Sequence, residues 1–139
     1  MDGNLRKLFR EHLPQVHWQS IESGMTGRGI PDTNGCFEGC EFWIEFKENK
    51  HWVVPLRPEQ IGWMLQRTRA GGRVFIALRR ATNELWLLDG AAAKDLRDLG
   101  LRRCPPSVVL GIYPNGPRAW DWGDILNHLI KKGTAEAIP

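Results

Sequence analysis

Apolar positions recur along the chain in two periods, and the switches between them mark the elements. In NLRKLFREHL (residues 4–13), Leu5, Leu8, Phe9 and Leu13 fall on one helical stripe, with Asn4 placed to cap its start and Pro14 to end it. Residues 15–22, QVHWQSIE, read as a strand with Val16, Trp18, Ser20 and Glu22 on one face. The glycine-rich SGMTGRG that follows predicts a loop. Residues 30–37 and 40–48 read as a hairpin that turns between Gly35 and Gly39. On its second strand Phe42, Ile44 and Phe46 face a core, while Glu41, Trp43, Glu45 and Lys47 face the other way.

RPEQIGWMLQRTRA (57–70) reads as a helix. Pro58 suits its first turn, Glu59 complements its positive end, and Gly71-Gly72 closes it. Its buried stripe is Ile61, Met64, Leu65 and Thr68, and Gln60, Trp63 and Arg67 run along its flank. RVFIALR (73–79) is an apolar run suited to a strand buried on both faces. ELWLLD (84–89) predicts a strand, AAAKDLRDLG (91–100) a helix with a glycine stop, SVVLGIY (107–113) a strand, and residues 122–132 a final helix. The expected order is α-β-β-β-α-β-β-α-β-α, in one domain over residues 1–139, with no repeat or linker.

Composition narrows the class. Hydrophobic residues at 42% and charged residues at 25% describe a globular chain. No apolar run approaches the ~20 residues of a membrane span, and Met1-Asp2-Gly3-Asn4 lacks a signal-peptide layout, so the expected compartment is the cytoplasm. Three cysteines (Cys36, Cys40, Cys104) do not make a disulfide framework. A zinc site on Cys36 and Cys40 is conceivable, but no second Cys/His pair follows at finger-like spacing. The net charge of +3 and a pI near 9.0 lean towards polyanions, and the basic residues include the pairs Arg79-Arg80, Arg102-Arg103 and Lys131-Lys132. Seven tryptophans are many for 139 residues; most are expected in the core, including those of PRAWDWGDI, with one or two at a rim where they could stack on bases.

The stretch GIPDTNGCFEGCEFWIEFK (residues 29–47) carries the candidate chemistry. Glu45 and Lys47 share a strand face, and a hairpin of this length can set Asp32 opposite Glu45. Two converging carboxylates repel each other, and a divalent cation removes the conflict. Asp32, Glu45 and the Phe46 backbone carbonyl offer oxygen ligands of the kind Mg²⁺ prefers, and the neighbouring lysine suits a phosphate or a metal-bound water. An E-x-K pair alone is as well explained by a solvated hairpin face.

G-I-P-D followed after twelve residues by E-F-K resembles the PD-(D/E)XK nuclease motif. ESGMTGRGIPD, FWIEFK, LRPEQIGWM and AGGRVFIALR, in that order, resemble its VRR-NUC branch over about residues 5–80. The resemblance implies an α/β fold with a restriction-endonuclease-like core, a mixed β-sheet flanked by helices, and Mg²⁺-dependent cleavage of DNA, with Mn²⁺ able to substitute. It implies metal ligation by Asp32 and Glu45, a water-positioning role for Lys47, and support from Gln60. Family members often add an acid from the first helix; Glu11 is the candidate for metal ligation there, and Glu22 the second candidate to complete the site. Ser23, Thr26, Arg28 and the backbone around Gly29 are expected to meet phosphate, as is Arg67. Small stand-alone members from phages and bacteria resemble Holliday junction resolvases. The expected partner is therefore branched or junction DNA, met by a homodimer that brings two sites to two strands. The alternative is a catalytically silent nucleic-acid-binding domain that keeps the nuclease fold.

Overall fold

The computed structural model describes residues 2–21 and 29–131. The elements follow the expected order: α1 (Leu5–His12), β1 (His17–Ser20), β2 (Thr33–Phe37), β3 (Cys40–Asn49), α2 (Pro58–Arg69), β4 (Val74–Arg80), β5 (Glu84–Asp89), α3 (Ala93–Arg103), β6 (Val109–Tyr113) and α4 (Trp122–Ile130). The strands form one six-stranded sheet in sequence order. β3 and β4 are parallel, and every other neighbouring pair is antiparallel. The parallel pair needs a crossover, and α2 supplies it. The architecture is thus the α/β mixed sheet with flanking helices that the sequence predicts.

Alternation divides the core between the two sheet faces. Phe42, Ile44 and Phe46 of β3 and Phe75 and Ala77 of β4 pack with Leu5 and Phe9 of α1 and Ile125 and Leu129 of α4. Ile76 and Leu78 of β4 face the other way, against Ile61 and Met64 of α2 and Leu96 of α3. β4 is accordingly buried on both faces, and β3 is internal. Trp120 is buried in the first cluster and Trp122 meets Phe9 ring to ring at 5.0 Å, so both tryptophans of PRAWDWGDI pack on the core.

Several local expectations differ. Asn4 does not cap α1: its φ is 69° and its side chain makes no cap bond, while Asp2 accepts the Leu5 amide on its carbonyl and the Asn4 amide on its carboxylate. Gly100 does not stop α3 but kinks it (φ 77°, ψ 178°), and a last turn runs on to Arg103. Cys36 pairs opposite Glu41 while the Cys40 Sγ points to the α4 side, 4.0 Å from the Leu129 carbonyl. Residues one apart in pairing parity take opposite faces, so the two thiols cannot share a zinc. No helix among the described residues is long and apolar enough to cross a membrane.

Candidate active site

β2 begins at Thr33, opposite Ile44, so continuing the register by one residue sets Asp32 opposite Glu45. Beyond that point β3 runs on to Asn49 without a β2 partner. The gap is closed by a side chain: the Phe46 amide donates to the Asp32 Oδ2 at 3.0 Å. In a strand the amide and carbonyl of one residue point to the same side, so the Phe46 carbonyl is turned towards Asp32 as well.

Glu45 lies on the α2 face and is 3% exposed. Its Oε2 accepts from Gln60 Nε2 at 3.1 Å and lies 3.5 Å from Lys47 Nζ. Its Oε1 is buried and has no hydrogen-bond partner. Burial, then the charge of Asp32, lift the Glu45 pKa to about 8, although Lys47 pulls it down.

Gln60 ties the group together. Its Oε1 accepts from Lys47 Nζ at 3.3 Å and from the Arg57 amide at 3.0 Å. The sequence places Gln60 on the flank of α2; in the structure it is buried. The Arg57 contact was missed at the sequence level, although a glutamine three residues into a helix is the usual partner for the N-cap amide. The buried Thr33 hydroxyl, which also lacks a hydrogen bond, had no sequence signal.

The donor set fits a hard divalent cation. Two carboxylates converge with a backbone carbonyl, and burial beside Asp32 favours a proton on Glu45, whose place a cation could take. Among the described residues no three His, Cys, Asp or Glu side chains gather into a metal cluster. Glu11 does not join the pair: it is exposed on α1, with its carboxylate 3.9 Å from Lys7 Nζ. Position on the helix stripe did not decide this, because Phe9 docks α1 on the Phe46 face, opposite Glu45.

Of the residues expected to meet phosphate, Ser23, Thr26 and Arg28 lie outside the described residues, as does Glu22, the second candidate acid. Gly29 is buried at φ +81°, and a Cβ there would stand 2.1 Å from the Glu59 carbonyl oxygen, so its glycine answers to packing against the first turn of α2 rather than to an exposed backbone. Arg67 is exposed but stacks on Trp63 and Trp43, with 4.7 and 5.2 Å to the ring centroids, two turns down α2 from Gln60.

Among solved structures, the chain is similar to Hjc, a Holliday junction resolvase from the archaeal hyperthermophile Archaeoglobus fulgidus, determined at 1.6 Å resolution. The TM-score is 0.51 at 17% identity, over 62% of this chain and 74% of that one. The likeness establishes the fold. No family model matches the chain, and no curated protein matches it.

Proposed function

We propose that the chain is a metal-dependent endodeoxyribonuclease that hydrolyses phosphodiester bonds in branched DNA, a four-way junction being the leading substrate. The observation that carries the reading is the buried Glu45 carboxylate. It faces Asp32, is gripped by Lys47 and Gln60, and keeps one oxygen without a partner. Burial against a second carboxylate is a costly place for a purely structural glutamate. The fold shared with a junction resolvase supports the substrate class.

In this reading Asp32, Glu45 and the Phe46 carbonyl hold Mg²⁺, or Mn²⁺ in its place. When bound, the ion would acidify a water and offset the charge that builds on the phosphate. The chain does the rest. Asp32 is held by the Phe46 amide, so the two carboxylates stay in register at the mouth of the β2–β3 gap. Lys47 presents a cation beside them, and Gln60, itself fixed by the Arg57 amide, holds that ammonium in place. Resolution of a junction takes two cuts, which a symmetric dimer would provide. Of the two candidate third acids, Glu22 is favoured. It follows Ile21 in sequence, and the Ile21 amide donates to the Asp32 carbonyl at 2.8 Å.

A second reading, a silent DNA-binding domain, draws on the lack of a third acid beside the pair among the described residues. Labelled four-way junction, flap, duplex and single strand, incubated with Mg²⁺, Mn²⁺ or EDTA, separate the two. Metal-dependent cuts that vanish in Asp32→Asn support the nuclease. Tight junction binding without cuts supports the binding domain, and neither result would end both.

A further inference from the structure

Beyond the carboxylate pair, β3 and β4 end side by side, with Asn49 opposite Arg80. This is one i+2 step, about 7 Å, past the Lys47–Leu78 pair and on the same sheet face. The chain then turns through His51–Val53, and the turn is tightly stapled. Asn49 accepts the His51 amide on Oδ1 at 3.1 Å and donates from Nδ2 to the Val53 carbonyl at 2.8 Å. The Trp52 carbonyl accepts the Leu101 amide at 2.7 Å. That bond needs the kink at Gly100, where a Cβ would come 2.9 Å from the Trp52 oxygen.

The result is a tryptophan ring held against two guanidinium groups. Arg80 lies 3.5 Å and Arg102 4.3 Å from the Trp52 centroid, and the Trp86 ring abuts it edge-on at 6.0 Å. The two arginines differ. Arg80 is nearly buried and bonds Glu84 at 2.8 Å, so packing accounts for it. Arg102 is exposed and makes neither a hydrogen bond nor a salt bridge among the described residues. Glu84 answers the charge of Arg80, and no ion pair among the described residues answers that of Arg102. Exposed and held over the ring, Arg102 can offer its N–H groups to an anion, and arginine is suited to phosphate.

We infer that Arg102, stacked on Trp52, is a phosphate-contact site for the nucleic-acid strand that runs through the Asp32–Glu45 site. It lies past the end of the strand that carries Glu45 and Lys47. It rests on the nuclease reading and adds to it a second anchor that fixes where the strand leaves. The kink at Gly100 has the effect of setting the last turn of α3 where Arg102 meets the ring.

The test is binding, measured in EDTA by fluorescence anisotropy on labelled junction and duplex across a salt series, with wild type, Arg102→Ala, Arg102→Lys and Trp52→Leu. Arg102→Ala should raise Kd about 5- to 10-fold on both substrates and reduce the salt slope by about 1, as loss of one phosphate contact does. Arg102→Lys should recover part of the affinity, and all variants are checked for thermal stability. Should Trp52→Leu unfold the chain, the Arg102 pair decides alone, since its side chain is exposed. Wild-type binding with an unchanged Kd and salt slope in Arg102→Ala would overturn the inference and leave the nuclease reading standing. No wild-type binding or cleavage would overturn both.

Discussion

The Asp32 carboxylate accepts the Phe46 amide at 3.0 Å and so occupies the place that a further residue of β2 would take beside β3. One side chain therefore has two duties: it continues the ladder at the point where the strands part, and it brings its charge to Glu45. Asp32→Asn keeps an oxygen that can accept the amide but loses the charge. Cleavage by this variant is expected to fall at least on the order of 10²-fold with Mg²⁺, with junction binding and stability near wild type. Asp32→Ala loses the acceptor too, and chemical denaturation should show a further loss of about 1–3 kcal/mol. If Asp32→Asn unfolds instead, the carboxylate is a structural group.

Glu45 gives a pH signature without any substrate. Its folded pKa is raised to about 8 from an ordinary 4.5. Between those values the folded chain binds a proton that the unfolded chain has lost, so stability falls as pH rises. The contribution is complete below about 4.5 and gone above about 8. Melting temperature measured in EDTA should therefore decline across this window, and Glu45→Gln should flatten the decline. A cation bound to the carboxylate replaces the proton, so Mg²⁺ should raise the melting temperature more at pH 8.5 than at pH 6. A wild-type profile that matches Glu45→Gln would mean that Glu45 is not held protonated.

The parts of this site readable in the sequence are those fixed by short-range geometry. Strand parity places Glu45 and Lys47 together, and hairpin length places Asp32 opposite Glu45; both follow from the period of two. The position of Gln60 on α2 follows from helical spacing. What could not be read depends on how elements dock. Glu11 sits at the edge of a helix stripe whose rotation is set by Phe9 against Phe46, a contact between residues 37 apart in sequence. Trp52 meets Arg80 and Arg102 only after three separate segments close on one another, and no local pattern announces that.

Because Glu11 is exposed and turned to Lys7, Glu11→Gln is expected to leave metal-dependent cleavage within about 2-fold of wild type, the scale of a surface ion pair. Glu22→Gln, assayed beside it, should reduce cleavage strongly. The reverse result would show that α1 re-docks when metal and DNA bind.

Lys47 and Gln60 should separate charge from placement. Lys47→Ala removes the cation, and single-turnover cleavage should slow at least about 10²-fold while Mg²⁺ still raises the melting temperature. Gln60→Ala leaves the cation but frees it, and it also strips the Arg57 amide of its acceptor. Its rate should fall less than that of Lys47→Ala, with a stability loss of about 1–3 kcal/mol. Equal rates for Lys47→Ala and wild type would remove the lysine from the chemistry.

Two glycines in adjoining elements should respond with opposite signs. Gly29 has φ +81° and no room for a Cβ beside the Glu59 carbonyl. Gly29→Ala is expected to cost roughly 1–3 kcal/mol from the backbone conformation alone, and more from the clash. The damage would fall on the first turn of α2, which carries Gln60, so cleavage should drop even where the fold survives. Gly62 lies two residues past Gln60 in the same helix, with open space where a Cβ would go. Gly62→Ala should stabilise the chain by about 0.5–1 kcal/mol through helix propensity and leave cleavage unchanged. Paired urea titrations and initial rates test both together. A silent Gly29→Ala would show that the loop before Asp32 can move off α2 without disturbing the site.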